Sequence, residues 1–188
     1  MIRIAPLREG HRSAVAGIVR DTGLFRDEEV DVALELFDSA HPAARSKGTH
    51  QTDTSPVSSD YFFLGAFTPE DELAGFACYG PTPSTDRTYD LYWIVIDPKR
   101  QRTGSGTILL NEVERRLEGL NARLVVVETS SRSDYGAARG FYVRNGYREG
   151  ARTRGFYAPA DDRITYIKRL QSRGSARRER AAHGVMSQ

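Results

Sequence analysis

The stretch Ile94-Val95-Ile96-Asp97-Pro98-Lys99-Arg100-Gln101-Arg102-Thr103-Gly104-Ser105-Gly106-Thr107-Ile108-Leu109-Leu110 decides the fold. Its apolar strand stops at Asp97-Pro98, crosses a basic loop with two glycines and enters a helix. The N–H groups that open a helix have no internal acceptor, and the helix dipole adds positive potential, so an anion is stabilised at that point. Gly104 and Gly106 let a ligand approach the backbone closely, while Arg100 and Arg102 supply charge. A glycine-containing turn also serves as a tight connection, and the loop by itself leaves both readings open. The Gly-Lys-Ser/Thr ending of a Walker loop and the three-glycine spacing of a dinucleotide fingerprint are both missing.

Working outward, Tyr61 to Phe67, Leu73 to Tyr79 and Thr88 to Ile96 are rich in aromatic and β-branched residues and read as an antiparallel meander. After the loop, Ile108, Leu109, Val113 and Leu117 form the buried stripe of a helix from Gly104 to about Leu117. An apolar strand, Arg123 to Glu128, follows it. That alternation implies a crossover and a parallel strand pair. Tyr135 to Arg144 reads as a helix ended by Asn145-Gly146. Tyr147 to Phe156 and Ile164 to Leu170 close the sheet around a turn at Ala158 to Asp162. Upstream, Ile2 and Ile4 suit a first strand, and Glu9 to Val19 and Glu28 to Ala40 two helices. The order is that of one α/β (α+β) domain with a mixed central sheet of about seven strands flanked by about four helices.

Residues 41–60 are poor in aliphatic side chains and rich in Ser, Thr, Pro and Gly, and are expected to be a mobile loop. His41 and His50 there have no partners at metal-ligand spacing, so no metal is expected. Residues 171–188 hold Arg173, Arg177, Arg178 and Arg180 and little that packs, which predicts a flexible basic tail. The tail could dock on nucleic-acid phosphates, but it is short and lacks interleaved aromatics. The whole chain, with 27 Lys plus Arg against 25 Asp plus Glu, carries a formal charge of only +2 over 188 residues. Net charge thus points to no nucleic-acid partner. One cysteine, Cys78, excludes an intrachain disulfide, suits a reducing compartment, and reads as a buried strand residue. No window reaches the roughly 20 apolar residues of a membrane span, and the expected location is the cytoplasm.

Gln101-Arg102-Thr103-Gly104-Ser105-Gly106 resembles the Q/R-x-x-G-x-G/A signature of the GNAT acetyltransferase superfamily. The resemblance extends over about residues 2–170 through Asp97-Pro98, the strand ending at Glu128, and Phe141-Tyr142 followed by Asn145-Gly146-Tyr147, and implies one domain over 1–170. It implies a splayed central strand pair that takes acetyl-CoA as cosubstrate. By it, backbone groups of Ile94, Val95 and Ile96 would bond the pantetheine arm, and Gln101 and the amides of Arg102, Thr103, Gly104, Ser105, Gly106 and Thr107 would cradle the pyrophosphate. Thr103 stands where glycine is frequent. The implied function is N-acetyl transfer to a primary amine of a small molecule or peptide by direct attack in a ternary complex. The alternative is a non-catalytic acyl-CoA-binding sensor or interaction module. A homodimer is allowed for.

Attack on a thioester requires a neutral amine, an acceptor for its proton and a donor to the departing sulfur. The resemblance implies Tyr142 as that donor, although the ring could instead only pack against the cofactor. Asp90, eleven residues before Gln101, and Glu128 are the candidate bases, and ordered water is a third route. Ser131 could bond the pantetheine, with helix capping as the ordinary role for it and Ser130. Trp93 alternates in phase with Leu91 and Val95 and reads as core, which leaves Tyr92 on the face of Asp90. For the acceptor amine the resemblance implies the regions near Phe25 to Glu29 and Phe156 to Asp162. Asp27, Glu28, Glu29, Asp161 and Asp162 would suit a cation there.

Overall fold

The computed structural model describes residues 1–41 and 60–171. The loop read over 41–60, its ends apart, and the tail read over 171–188 lie outside the described residues. Eleven regular elements follow one another: β1 (Arg3–Pro6), α1 (Arg12–Asp21), α2 (Asp27–Ala40), β2 (Phe62–Phe67), β3 (Leu73–Pro81), β4 (Thr88–Ile96), α3 (Ser105–Gly119), β5 (Leu124–Ser130), α4 (Gly136–Arg144), β6 (Arg148–Ala158) and β7 (Asp161–Arg169). The seven strands form one mixed sheet, as the sequence pattern leads one to expect, and their order is β1-β2-β3-β4-β5-β7-β6. No helix among the described residues is long and apolar enough to cross a membrane.

Contacts divide the chain into two compact units, Met1–Gly80 with Tyr92–Val113, and Pro81–Leu91 with Glu114–Gln188. In the first, β1 pairs antiparallel with β2, and β2 pairs antiparallel with β3 as the first two strands of the expected meander. The helical stripes Val15, Ile18 and Val19 of α1 and Val30, Ala33, Leu34 and Phe37 of α2 pack with Phe63, Phe67, Phe76, Cys78 and Val95 into one core. Each large side chain so buried stabilises the fold by roughly 1.5–3 kcal/mol. Cys78 is fully buried among them, and burial pushes its thiol far above the usual range. It is a packing residue. Trp93 packs against the same core, with the Phe25 ring 4.9 Å away. Glycine at position 75 is required by packing, because a Cβ there would meet the Val95 carbonyl at 2.6 Å.

In the second unit, β4 pairs in parallel with β5 at Thr88↔Leu124, Tyr89↔Val125 and Asp90↔Val126. β5 then pairs with β7 from Leu124↔Arg169 to Ser130↔Arg163, and β7 with β6. The final hairpin corrects the sequence reading. The turn expected over Ala158 to Asp162 shrinks to Pro159-Ala160, with Ala160 left-handed at φ 66 and Ala158 opposite Asp161. Asp161 can enter the strand because the Ser130 hydroxyl donates to its carboxylate, and Asp162 because its own carboxylate accepts from the Gly155 N–H and from Arg152. β6 forms the edge of the sheet and is exposed along its whole length.

Candidate functional site

The first unit carries the basic, glycine-containing loop between β4 and α3. Asp97 ends β4: its N–H donates to the Ala74 carbonyl, and its carboxylate caps the short turn Pro98–Arg100 by accepting from the Lys99 N–H at 2.9 Å. Arg100 is held by Glu72 and lies 3.7 Å from Asp97. Its charge is therefore committed to the loop's own architecture, and the exposed Arg102 is the cation nearer the helix. Gln101 donates from its side chain to the Ile96 carbonyl at 3.3 Å. Thr103 takes up a structural role that a glycine could not: its hydroxyl lies 2.8 Å from the Arg100 carbonyl and 2.7 Å from the buried Ser105 hydroxyl.

Arg102 and Gly104 both adopt left-handed backbone, with φ of 61 and 85, and Thr103 between them does not. Alternating handedness of this kind turns successive N–H groups to one side and makes an anion-binding nest. For arginine the conformation is uncommon and costly, and it persists where the surroundings require it. α3 begins immediately afterwards at Ser105, so the first-turn amides of Ser105, Gly106 and Thr107 have no acceptor within the helix. Thus the first unit brings together Ile94, Val95, Ile96 and the whole run from Gln101 to Thr107. A pyrophosphate fits this donor set chemically. A Cβ added at Gly104 would meet no atom within 4 Å, so the space over the turn is open.

The second unit holds Asp90, Glu128, Ser131 and Tyr142. Asp90 accepts a hydrogen bond of 2.7 Å from the Thr82 hydroxyl. Glu128 is exposed at the end of β5 and lies 3.4 Å from Arg163. Ser131 binds β7 twice, its N–H donating to the Asp162 carbonyl and its hydroxyl accepting from the Asp162 N–H. Ser130 donates to Asp161 and accepts from the Arg132 N–H, which leads into the turn before α4. Tyr142 projects from α4 with only 7% of its surface exposed. The rings of Phe141, Tyr147 and Tyr166 lie 5.5, 5.7 and 5.9 Å from it. Burial raises its phenol above the ordinary tyrosine value, so it stays protonated.

Of the acidic residues suited to an acceptor cation, Glu29 accepts from the Arg26 N–H and folds back over the start of α2, and Asp161 is buried against Ser130. Asp27 and Glu28 are exposed in the first turn of the same helix. Sequence reasoning passed over Glu114 and Lys168, and read Asn145 only as the end of a helix. They lie in three separate segments, and only folding joins them.

Comparison with known proteins shows the family and the fold. The model of the acetyltransferase (GNAT) family matches residues 30–147. The crystal structure of a GNAT-family protein from Desulfovibrio desulfuricans is 37% identical, covers 91% of this chain and 100% of its own, and superposes with a TM-score of 0.79. Two more distant structures share the fold. The ribosomal-protein-S18-alanine N-acetyltransferase of Escherichia coli is 21% identical over 91% of this chain and 95% of its own, with a TM-score of 0.68. The PaiA N-acetyltransferase of Thermoplasma acidophilum, in complex with coenzyme A, is 17% identical over 90% and 99%, with a TM-score of 0.65. No curated protein sequence matches the chain.

Proposed function

Because this chain belongs to the GNAT acetyltransferase family and is an acyltransferase, we propose that it moves an acetyl group from acetyl-CoA to a primary amine of a small molecule or peptide, by direct attack in a ternary complex in the cytoplasm. The observation that carries the cosubstrate is the left-handed pair Arg102 and Gly104 immediately ahead of α3. A nest of backbone N–H groups backed by a helix dipole suits a diphosphate and requires no metal to neutralise it. Backbone groups of Ile94 to Ile96, next along the chain, would hold the pantetheine arm, and Ser131 would add a hydroxyl to it.

Asp90, acting through a bridging water, takes the proton that the amine sheds as its bond to the acetyl carbon forms. The Thr82 hydroxyl fixes the orientation of that carboxylate. Glu128 is the second carboxylate, already drawn toward Arg163. Tyr142 donates a hydrogen bond to sulfur as the C–S bond breaks and its electron pair settles there. An alkyl thiol has an ordinary pKa of about 8.5, below that of a phenol raised by burial, so Tyr142 stabilises the thiolate by donation and keeps its own proton. The sulfur is then protonated from water.

The test is incubation with acetyl-CoA and a panel of polyamines, amino acids, aminoglycosides and lysine peptides while free thiol is followed. At least one amine should release thiol above the rate without amine. CoA binding with no thiol release from any amine would overturn the proposal in favour of a binding module.

A further inference from the structure

Behind Tyr142 the second unit contains a charged cluster that the transfer reaction does not use. Glu114 of α3 has only 8% of its surface exposed. One of its carboxylate oxygens accepts from the Lys168 ammonium of β7 at 2.7 Å, and the same ammonium donates to the Asn145 carbonyl at 2.9 Å. The other carboxylate oxygen and the Tyr147 hydroxyl are both buried without a hydrogen bond of full geometry. They lie close enough that burial first, and then the Glu114 carboxylate, hold the Tyr147 phenol far above its usual range. A half-satisfied buried network calls for a reason beyond stability, because apolar residues of the same size stabilise such a place as well or better.

The reason lies in what Lys168 grips. Asn145 caps α4, and its N–H donates to the carbonyls of Phe141, Tyr142 and Val143. The Tyr147 N–H also donates to the Tyr142 carbonyl at 3.0 Å, and the Asn145 side chain donates to that of Phe141 at 2.8 Å. The chain turns through Gly146 at φ 84, against which the end of the Lys168 side chain rests at 3.7 Å from where a Cβ would stand. Every bond that fixes the last turn of α4 therefore involves Tyr142 or a direct neighbour, and the Lys168 ammonium ties that turn to β7. Tyr166, two residues before Lys168 on the same face of β7, and Tyr147 wall the Tyr142 ring.

We infer that Lys168, held by Glu114, is a positioning residue for Tyr142: it clamps the C-terminal end of α4 so that the phenol stays aimed at the sulfur of bound CoA. The clamp rests on the reading of Tyr142 as the donor to that sulfur. Glu114 keeps the ammonium from turning to solvent.

The experiment uses the full chain with tyrosine labelled with carbon-13 at Cζ, the Tyr142 signal being assigned by its loss in Tyr142→Phe. CoA itself is the probe. In the parent, saturating CoA should shift the Tyr142 signal. In the Glu114→Leu, Lys168→Met pair the signal should broaden and the CoA-induced shift should be lost, while calorimetric CoA affinity stays within about twofold. The Glu114→Gln, Lys168→Met pair serves the same purpose should the more apolar one not fold. A shift of the parent's size in a folded pair variant with CoA bound would overturn the clamp alone. A parent signal indifferent to saturating CoA would overturn the reading of Tyr142, and the clamp with it.

Discussion

Replacing the Tyr142 hydroxyl by hydrogen leaves the ring contacts to Tyr147 and Tyr166 in place, so Tyr142→Phe isolates the donor from the packing. Turnover is expected to fall about 100-fold, the usual loss when one donor to a developing anion is removed. CoA affinity should change by less than about twofold. Steady-state thiol release and calorimetry on the same variant check the two halves, and undiminished turnover would remove the hydroxyl from the mechanism. Single residues with one dominant physical tendency were legible before folding was known. Cys78 reads as core from its apolar run, and Trp93 from its phase with Leu91 and Val95; both pack as that reading requires. Asp161 was not legible, because an aspartate two residues after a proline looks like part of a solvated turn. Its strand position depends on Ser130, a residue 31 positions away that the local pattern does not show.

Among the elements, the loop between β4 and α3 shows how backbone and ligand requirements combine. Gly104 needs φ of 85, where an alanine is strained by about 1–2 kcal/mol even though its Cβ meets nothing. Gly104→Ala should therefore fold, and the loop should relax toward ordinary backbone and weaken the nest. We expect the CoA dissociation constant to rise about tenfold, corresponding to about 1.4 kcal/mol, by isothermal titration. An unaltered constant would show that the left-handed turn does not shape the anion site. This element was readable because Asp97-Pro98 and the glycines act locally, as terminators and as left-handed hinges. The cluster of Glu114, Asn145 and Lys168 was not, because its members lie 54 and 23 residues apart; Glu114 and Lys168 resemble ordinary surface charges, and Asn145 shows only its capping role.

At the scale of the whole molecule, two sets of titrations bound the stable pH range. The Arg87 guanidinium beside Asp86, the Arg132 guanidinium beside Asp134, and the Gly155 N–H on Asp162 hold these carboxyls below the ordinary aspartate value. A depressed folded value contributes stability that is present above the unfolded value of about 3.9 and is lost as pH falls through the folded one. Burial acts in the other direction on Cys78, Tyr142 and Tyr147, whose folded values are raised. Their contribution is complete below the unfolded values of about 8.5 and 10 and declines as pH rises beyond them. Thermal melts from acid to alkali should thus give a plateau between about pH 4 and 8.5 with a fall on each side. A melting temperature that keeps rising above about pH 10 would contradict the alkaline assignment.

The exposed edge strand β6 carries one more implication. Among the described residues no strand pairs with its outer side, a row of backbone donors and acceptors that another extended chain could copy. Arg148 and Arg154 give it positive charge while Arg152 is paired with Glu149 and Asp162, its ladder to β7 is interrupted at Glu149/Ala151 and Thr153/Ala158, and Gly155 bends it at φ 58. Like charges and bulges of this kind blunt an edge. A concentrated solution is thereby protected against fibrils growing from that side, and dissolved salt, by screening the arginines, erodes the protection.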